Sequence, residues 1–299
     1  MLNIVGKKFW YFLFSGLIII PGIIALSLWQ LNLGIDFTGG TLVEIRLERA
    51  VDKNDIAASA KPSGIPIATV QTTGQKSYLL RTKPLDEKGY KSLVDVLKAK
   101  YGRVEELRRE TVGPTIGAEL LKNSLVAILL ASVMIVLYIA WAFRSVPSPA
   151  SSWRFGVAAI VALLHDVLVL VGLFSIFGHF LAVEVDALFV TAVLTIIGFS
   201  VHDTIVVFDR IRENLNRRLY KSFAETVNHS IMQTLNRSLN TSLTVVFVLS
   251  ALLLFGGTSI RWFVVALLVG VVSGTYSSIF NAAPLLVLWQ EWSERKKKR

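Results

Sequence analysis

Six stretches of nearly uncharged sequence, each long enough to cross a bilayer, dictate what this chain can fold into. A spanning helix needs roughly 20 mainly apolar residues, because a rise of 1.5 Å per residue must match a hydrocarbon core about 30 Å thick. The first stretch has its core at residues 9–31, and the second fills the gap between Lys122 and Arg144. Residues 155–177 and 185–208 are as long, but the former carries His165 and Asp166 and the latter Asp186, His202 and Asp203. The fifth covers residues 230–255 with Arg237 as its only charge, and the sixth runs from Trp262 to about Trp289. Of all residues 53% are hydrophobic and only 17% charged, a balance that excludes a single soluble globule. With no Cys, disulfides, thiolate metal sites and cysteine nucleophiles are excluded too. The first stretch is too long for the apolar core of a secretory signal and has no small-residue cleavage site before Asp36.

Orientation follows from Lys and Arg in the short loops and tails. Lys7, Lys8, Arg144, Arg154, Arg210, Arg212, Arg217, Arg218, Lys221 and the tail 295–299 fall on one side, whereas the opposite short loops offer only Arg261. Both termini are therefore expected in the cytoplasm, with the segment between the first two helices exported. The net charge of +10 reflects this asymmetry and not a nucleic-acid groove. The expected organisation is 1–31 for the N-terminus and first helix, 32–122 for an exported domain, 123–290 for helices two to six, and 291–299 for a basic tail.

Residues 32–122 mix acidic and basic side chains as a soluble domain does. Residues 41–47 alternate Leu42, Glu44 and Arg46 against Val43, Ile45 and Leu47, the pattern of a half-buried strand. A short helix is expected over 52–60, strands over 67–72 and 77–82, a helix over 86–100 with Leu93, Val94, Leu97 and Tyr101 at helical spacing, and a strand over 104–112. The order βαββαβ suits an α+β ferredoxin-like sandwich. The fold class is thus an α-helical integral membrane protein with six transmembrane helices and one such domain between helices 1 and 2.

No GxxxxGK[ST] loop, GxGxxG turn or HExxH helix occurs, so the sequence predicts no nucleotide site, no metal, no cofactor and no covalent chemistry. The informative residues are the ionisable ones at membrane depth, where a charge costs at least roughly 2.5–3.5 kcal/mol and needs a partner or a job. His165 and Asp166 sit near the middle of the third span. Asp203 and Arg237 are expected at matching depths of roughly 8 and 10 Å from one end of their spans. Asp203 shares a helix face with Ser200, while His202 points about 100° away. Two readings of Asp203 and Arg237 stand: a proton site in which the acid alternates between neutral and arginine-paired, or a permanent ion pair joining two helices. His165 and Asp166 are either a relay or a hydrogen-bonded structural pair, and His202 either passes protons to Asp203 or, as sequence neighbours on a helix point apart, serves packing or tuning.

Weaker signals remain. Asn236, Ser238, Asn240, Thr241, Ser242 and Thr244 wet the start of the fifth span, as a hydrated crevice or as helix contacts. Gly270, Gly274 and Ser278 form a small-residue row suited to close helix packing. DRIRENLNRR at 209–218 reads as a solvated charged face, with a surface amphipathic helix as the alternative.

Three motifs carry a resemblance: GIDFTGG at 34–40, VGPTIGAEL at 112–120 and SVHDTIVVFDRIREN at 200–214. With TLNRSLNTS at 234–242 and the His165–Asp166 pair, the chain resembles the SecD/SecF family of protein translocase subunits, of the resistance-nodulation-division type, over nearly its whole length. The resemblance implies six helices, a first exported domain, association with SecD in the bacterial inner membrane, and proton-driven help to the SecYEG channel in moving unfolded preproteins outward. It places the family's transmembrane acid on Asp203, its arginine on Arg237, and its signature on Gly34, Asp36, Phe37, Gly39 and Gly40. Where the family usually has Asn before that acid, this sequence has His202. A small-molecule exporter half of the same superfamily and a non-transporting translocon scaffold are the alternatives.

Overall fold

The computed structural model describes residues 2–144, 146–147 and 150–297. In chain order the elements are α1 (Lys8–Trp29), α2 (Ile35–Thr38), β1 (Gly40–Leu47), α3 (Lys53–Ser59), β2 (Ile67–Thr72), β3 (Ser77–Thr82), α4 (Glu87–Tyr101), β4 (Val104–Val112), α5 (Pro114–Ala142), α6 (Ser152–Leu181), α7 (Ala187–Arg217), α8 (Phe223–Phe255), α9 (Arg261–Ser277), a π-helical segment (Ser278–Ala282) and α10 (Ala283–Lys297). Contacts divide the chain into two units, one of residues 32–126 with 184–187, the other of the remaining segments.

In the first unit four antiparallel strands run in the order β2-β3-β1-β4. The period-two pattern of β1 buries Val43, Ile45 and Leu47 beside Tyr78 and Leu80 of β3, and α4 lays Tyr90, Leu93, Leu97 and Tyr101 on that same core. Each fully buried aliphatic side chain there contributes roughly 1.5–3 kcal/mol. Both helices start at aspartate caps: Asp52 accepts from Asn54 N at 2.8 Å and Asp86 from Gly89 N at 2.8 Å. Tyr78 closes the core polar-side by donating from Oη to Val51 O (2.7 Å) and accepting from Val51 N (2.6 Å).

The segment 34–40 owes its sequence to backbone geometry. Gly39 has φ 71° and lies so near the chain that an added Cβ would meet Pro114 Cα at 2.8 Å; Gly40 has φ 143°. The motifs at 34–40 and 112–120 are therefore two sides of one backbone contact. Gly34 N donates to Val185 O at 2.8 Å, and Asp36 Oδ2 accepts from Ala187 N at 2.9 Å, the first residue of α7. Expecting 185–208 to open as helix is thereby corrected: Val185 and Asp186 precede α7, because Val185 spends its backbone groups on Asn32, Leu33 and Gly34.

Among the described residues six helices, most of whose length lies in the second unit, are long and apolar enough to cross a membrane: Val5–Trp29, Pro114–Ala142, Ser152–Leu181, Ala187–Arg217, Phe223–Phe255 and Thr258–Lys296. Side chains such as Leu129, Leu130 and Phe247 face outward, as lipid-solvated residues do. Phe143, Phe155 and Phe208 stack edge and face at 4.9–5.8 Å between ring centroids, joining the end of α5 to α6 and α7. The charged run 209–218 forms no separate element. It continues α7 to Arg217, and Asn214 Nδ2 donates to Ser230 Oγ of α8 at 2.8 Å while Arg210 Nε donates to Gln233 Oε1 at 2.7 Å. Asn228 of α8 holds the start of the chain, accepting from Ile4 N at 2.9 Å. The expected tail is helical through Lys297, and Lys298 and Arg299 lie outside the described residues.

Candidate functional site

Asp166 is wholly buried in α6, and three serine hydroxyls and one imidazole nitrogen reach its two oxygens. Ser273 Oγ (2.8 Å) and His165 Nδ1 (2.9 Å) meet Oδ1; Ser200 Oγ (2.5 Å) and Ser277 Oγ (2.7 Å) meet Oδ2. The serines come from α7 and α9, so three helices converge on one carboxyl. His165 is also held at its other nitrogen, where Nε2 lies 3.1 Å from Ser15 Oγ of α1. Ser15 in turn accepts from Asn281 Nδ2 of the π segment at 2.7 Å. A π turn places one surplus residue in the coil, which suits a segment that must aim both Ser278 and Asn281 inward.

Asp203 is equally submerged, at 3% exposure, but much more thinly partnered. Thr275 Oγ1 approaches its Oδ2 at only 3.4 Å, while also donating to Val271 O at 2.9 Å and lying 2.5 Å from Ser242 Oγ of α8. Gly274 makes this approach of α9 to α7 possible, since a Cβ there would stand 2.9 Å from Ser200 Cβ. Residues 273–277 of α9 thus serve both acids, Ser273 and Ser277 on one face and Thr275 on the opposite one.

Among the described residues no ion pair joins Asp203 to Arg237, so this arrangement is not the one in which the two are paired. The reason is helical phase. Thr234, Ser238 and Ser242 form the buried stripe of α8, and Arg237 falls about 100° off it, exposed beside a groove shared with Val206, Asp209 and Gln233. The polar start of α8 divides accordingly: Ser238 and Ser242 face inward, while Asn236, Asn240, Thr241 and Thr244 are exposed. His202 is exposed and turned away from its neighbour, as its spacing requires.

In the sheet unit the family-like signature centres on Arg81. Its guanidinium donates to Leu33 O (2.9 Å), Thr38 Oγ1 (2.6 Å) and Glu184 Oε1 (3.2 Å). Burial pushes the Glu184 carboxyl above the usual glutamate range, and Arg81 pulls it only partly back. Phe37 is buried beside this hub.

Sequence reasoning did not single out Ser15, Ser273, Thr275, Ser277 and Asn281. Their signal was available in principle: isolated hydroxyl and amide groups inside apolar spans, with Ser273 and Ser277 one turn apart.

These features define a polytopic membrane protein that keeps two buried carboxyls among its helices and carries a small antiparallel sheet unit. Residues 92–292 match the family described as protein export membrane protein SecD/SecF, C-terminal, and residues 30–51 match the SecD/SecF GG motif. The protein translocase subunit SecF of Thermobaculum terrenum is 52% identical over 302 residues, covering 97% of this chain and 94% of that protein. The SecF of Anaerolinea thermophila is 45% identical over 298 residues, covering 98% and 96%. The crystal structure of SecDF, a translocon-associated membrane protein from Thermus thermophilus, aligns with a TM-score of 0.85 and 35% identity, over 97% of this chain and 39% of that longer one. The chain belongs to the SecD/SecF family of multi-pass membrane proteins, among its SecF translocase subunits.

Proposed function

We propose that the chain acts with SecD as a proton-driven auxiliary of the SecYEG channel, drawing unfolded preproteins out of the bacterial cytoplasm. The observation that carries the proposal is Asp203: a carboxyl buried at the centre of a 31-residue helix, approached by the Thr275 hydroxyl at 3.4 Å and paired, among the described residues, with no cation within salt-bridge distance. A hydroxyl can donate to a carboxylate or accept from a neutral acid, so such a partner tolerates both states of a group that loads and unloads a proton. Arg237, exposed at a groove between α7 and α8, supplies the counter-charge when the helices rearrange. One charge moved through 100 mV is worth about 2.3 kcal/mol, enough to bias arrangements that differ by a few kcal/mol.

A SecD partner is supported by two things. The SecDF chain is more than twice as long as the part matched here, and α8 leaves Asn236, Arg237, Asn240 and Thr241 on a surface ill suited to lipid. Both termini lie in the cytoplasm on the positive-inside rule, and the inner membrane is the seat of the complex. The sheet unit is then exported; its strand order β2-β3-β1-β4, with helices after β1 and β3, supports a ferredoxin-like domain.

The test is proton flux in vesicles containing the chain with its SecD partner, stimulated by an unfolded polypeptide. Asp203→Asn is expected to reduce stimulated flux to the level of empty liposomes, with Asp203→Glu retaining part of it. Wild-type flux in Asp203→Asn overturns the proposal.

A further inference from the structure

We infer that Asp166 is a second proton-carrying carboxyl of the same cycle, loaded through His165 and coupled to Asp203 by α9; the inference rests on the proton-site reading of Asp203 and deepens it. The first ground is the chemistry of its partners. A buried structural carboxylate is ordinarily matched by Arg or Lys, which can only donate and so fix the acid in its charged form. Among the described residues no Arg or Lys pairs with Asp166; its partners are three serine hydroxyls and one imidazole. Every one of them changes role by rotating a hydroxyl or exchanging a ring proton. Protonation at Oδ2 turns one of Ser200 and Ser277 from donor to acceptor and leaves the cage intact.

The second ground is a path. His165 bridges Ser15 at Nε2 and Asp166 at Nδ1, the geometry in which an imidazole accepts a proton at one nitrogen and releases one from the other. Beyond Ser15 stands Asn281, whose side-chain Oδ1 is buried without a hydrogen-bond partner. An orphaned acceptor beside Ser15 is a place for a water to dock, and such a water can pass a proton to the Ser15 hydroxyl as that hydroxyl gives its own to His165 Nε2, with the Asn281 amide only holding the water.

The groups facing the pair can be named element by element. They are Ser15 of α1, Ser200 of α7 with Asp203 one turn further on, Ser273, Tyr276 and Ser277 of α9, and Asn281. Tyr276 packs its ring 6.1 Å from His165 and commits its hydroxyl to Tyr11 O at 2.8 Å. Asp203 is thus the other buried acid of these helices. The two communicate through residues 273–277, because any turn of α9 that strengthens Thr275 on Asp203 draws Ser273 and Ser277 off Asp166.

The experiment uses the same vesicles, with Asp203→Asn, Asp166→Asn, Asp166→Glu and the Ser273→Ala/Ser277→Ala pair. Asn keeps hydrogen-bonding capacity but cannot carry a proton, so a structural pair tolerates it. A fall of more than tenfold in stimulated flux in Asp166→Asn, with part restored in Asp166→Glu, is expected; a smaller fall overturns the inference. If Asp166→Asn fails to assemble, the serine pair decides: a shifted pH profile of flux is expected, and an unshifted profile overturns the inference. Loss of flux in Asp203→Asn alone defeats only this second site, whereas wild-type flux in both Asn variants defeats the proton reading at its base.

Discussion

Thr275 places its hydroxyl on Asp203, at 3.4 Å, and leaves Arg237 outside the contact. That relationship divides the roles of the two polar groups near the acid. In the proposed proton cycle the threonine holds the resting Asp203, and the arginine acts only when α7 and α8 have moved or a partner has docked.

Thr275→Val keeps the volume and removes the hydroxyl. A hydrogen bond of this kind is worth about 1 kcal/mol, so stimulated proton flux should drop roughly three- to tenfold. Thr275→Ser should stay near wild type. Vesicle flux measurements check both.

Arg237→Gln should leave the melting of the isolated chain in detergent within about 0.5 kcal/mol of wild type, because the side chain is exposed and has no ion-pair partner among the described residues. Flux in the assembled complex should nevertheless fall by more than tenfold. A marked loss of stability in the isolated chain would mean that Arg237 already bears a load there.

Asp36→Ala removes the carboxyl that receives the first N–H of α7. The loss should amount to about 1–2 kcal/mol, and it should appear as faster amide exchange at residues 187–190 by mass spectrometry. Asp36→Asn should retain most of the protection.

Glu184 gives a pH signature. Its folded carboxyl binds a proton more tightly than the ordinary value of 4.5, since burial outweighs the help of Arg81. Between that value and the raised one the folded chain holds more protons than the unfolded chain, so this group's contribution weakens as pH rises through the window. Glu184→Gln lacks the effect. The melting temperature of Glu184→Gln minus that of wild type should therefore increase from pH 4 to pH 7.

Much of the architecture could be read in advance because it depends on period and length. Strands β2, β3 and β4 occupy the ranges that alternation and turn residues marked, and all six apolar stretches form long helices. Charge misled at two ends of α7. Asp186 sits in an apolar stretch yet precedes the helix, since a backbone bridge at Val185 outcompetes helical bonding. DRIRENLNRR reads as a solvated charged face or a separate surface helix, yet it continues α7, because a helix propagates through good helix formers such as Arg, Glu and Leu once a turn exists. The serine cage was hidden for a different reason. Ser200, Ser273 and Ser277 are neutral, far apart in sequence and unremarkable singly, and only tertiary packing makes them a site. The azimuth of Arg237 could not be read from its span alone, because a one-residue offset from Ser238 swings a side chain from interior to surface.

The continuity of α7 through Arg217 has a mechanical outcome. At 1.5 Å per residue its 31 residues extend about 46 Å, well beyond a hydrocarbon layer about 30 Å thick. Asp203 stands at midlength like a fulcrum, with an arm of about 21 Å from it to Arg217. A tilt of ten degrees at the acid swings the tip by about 4 Å over that arm. Because Asn214 and Arg210 fasten α8 to the same arm, the swing takes both helices with it, and a sub-ångström adjustment around one carboxyl arrives outside the bilayer enlarged.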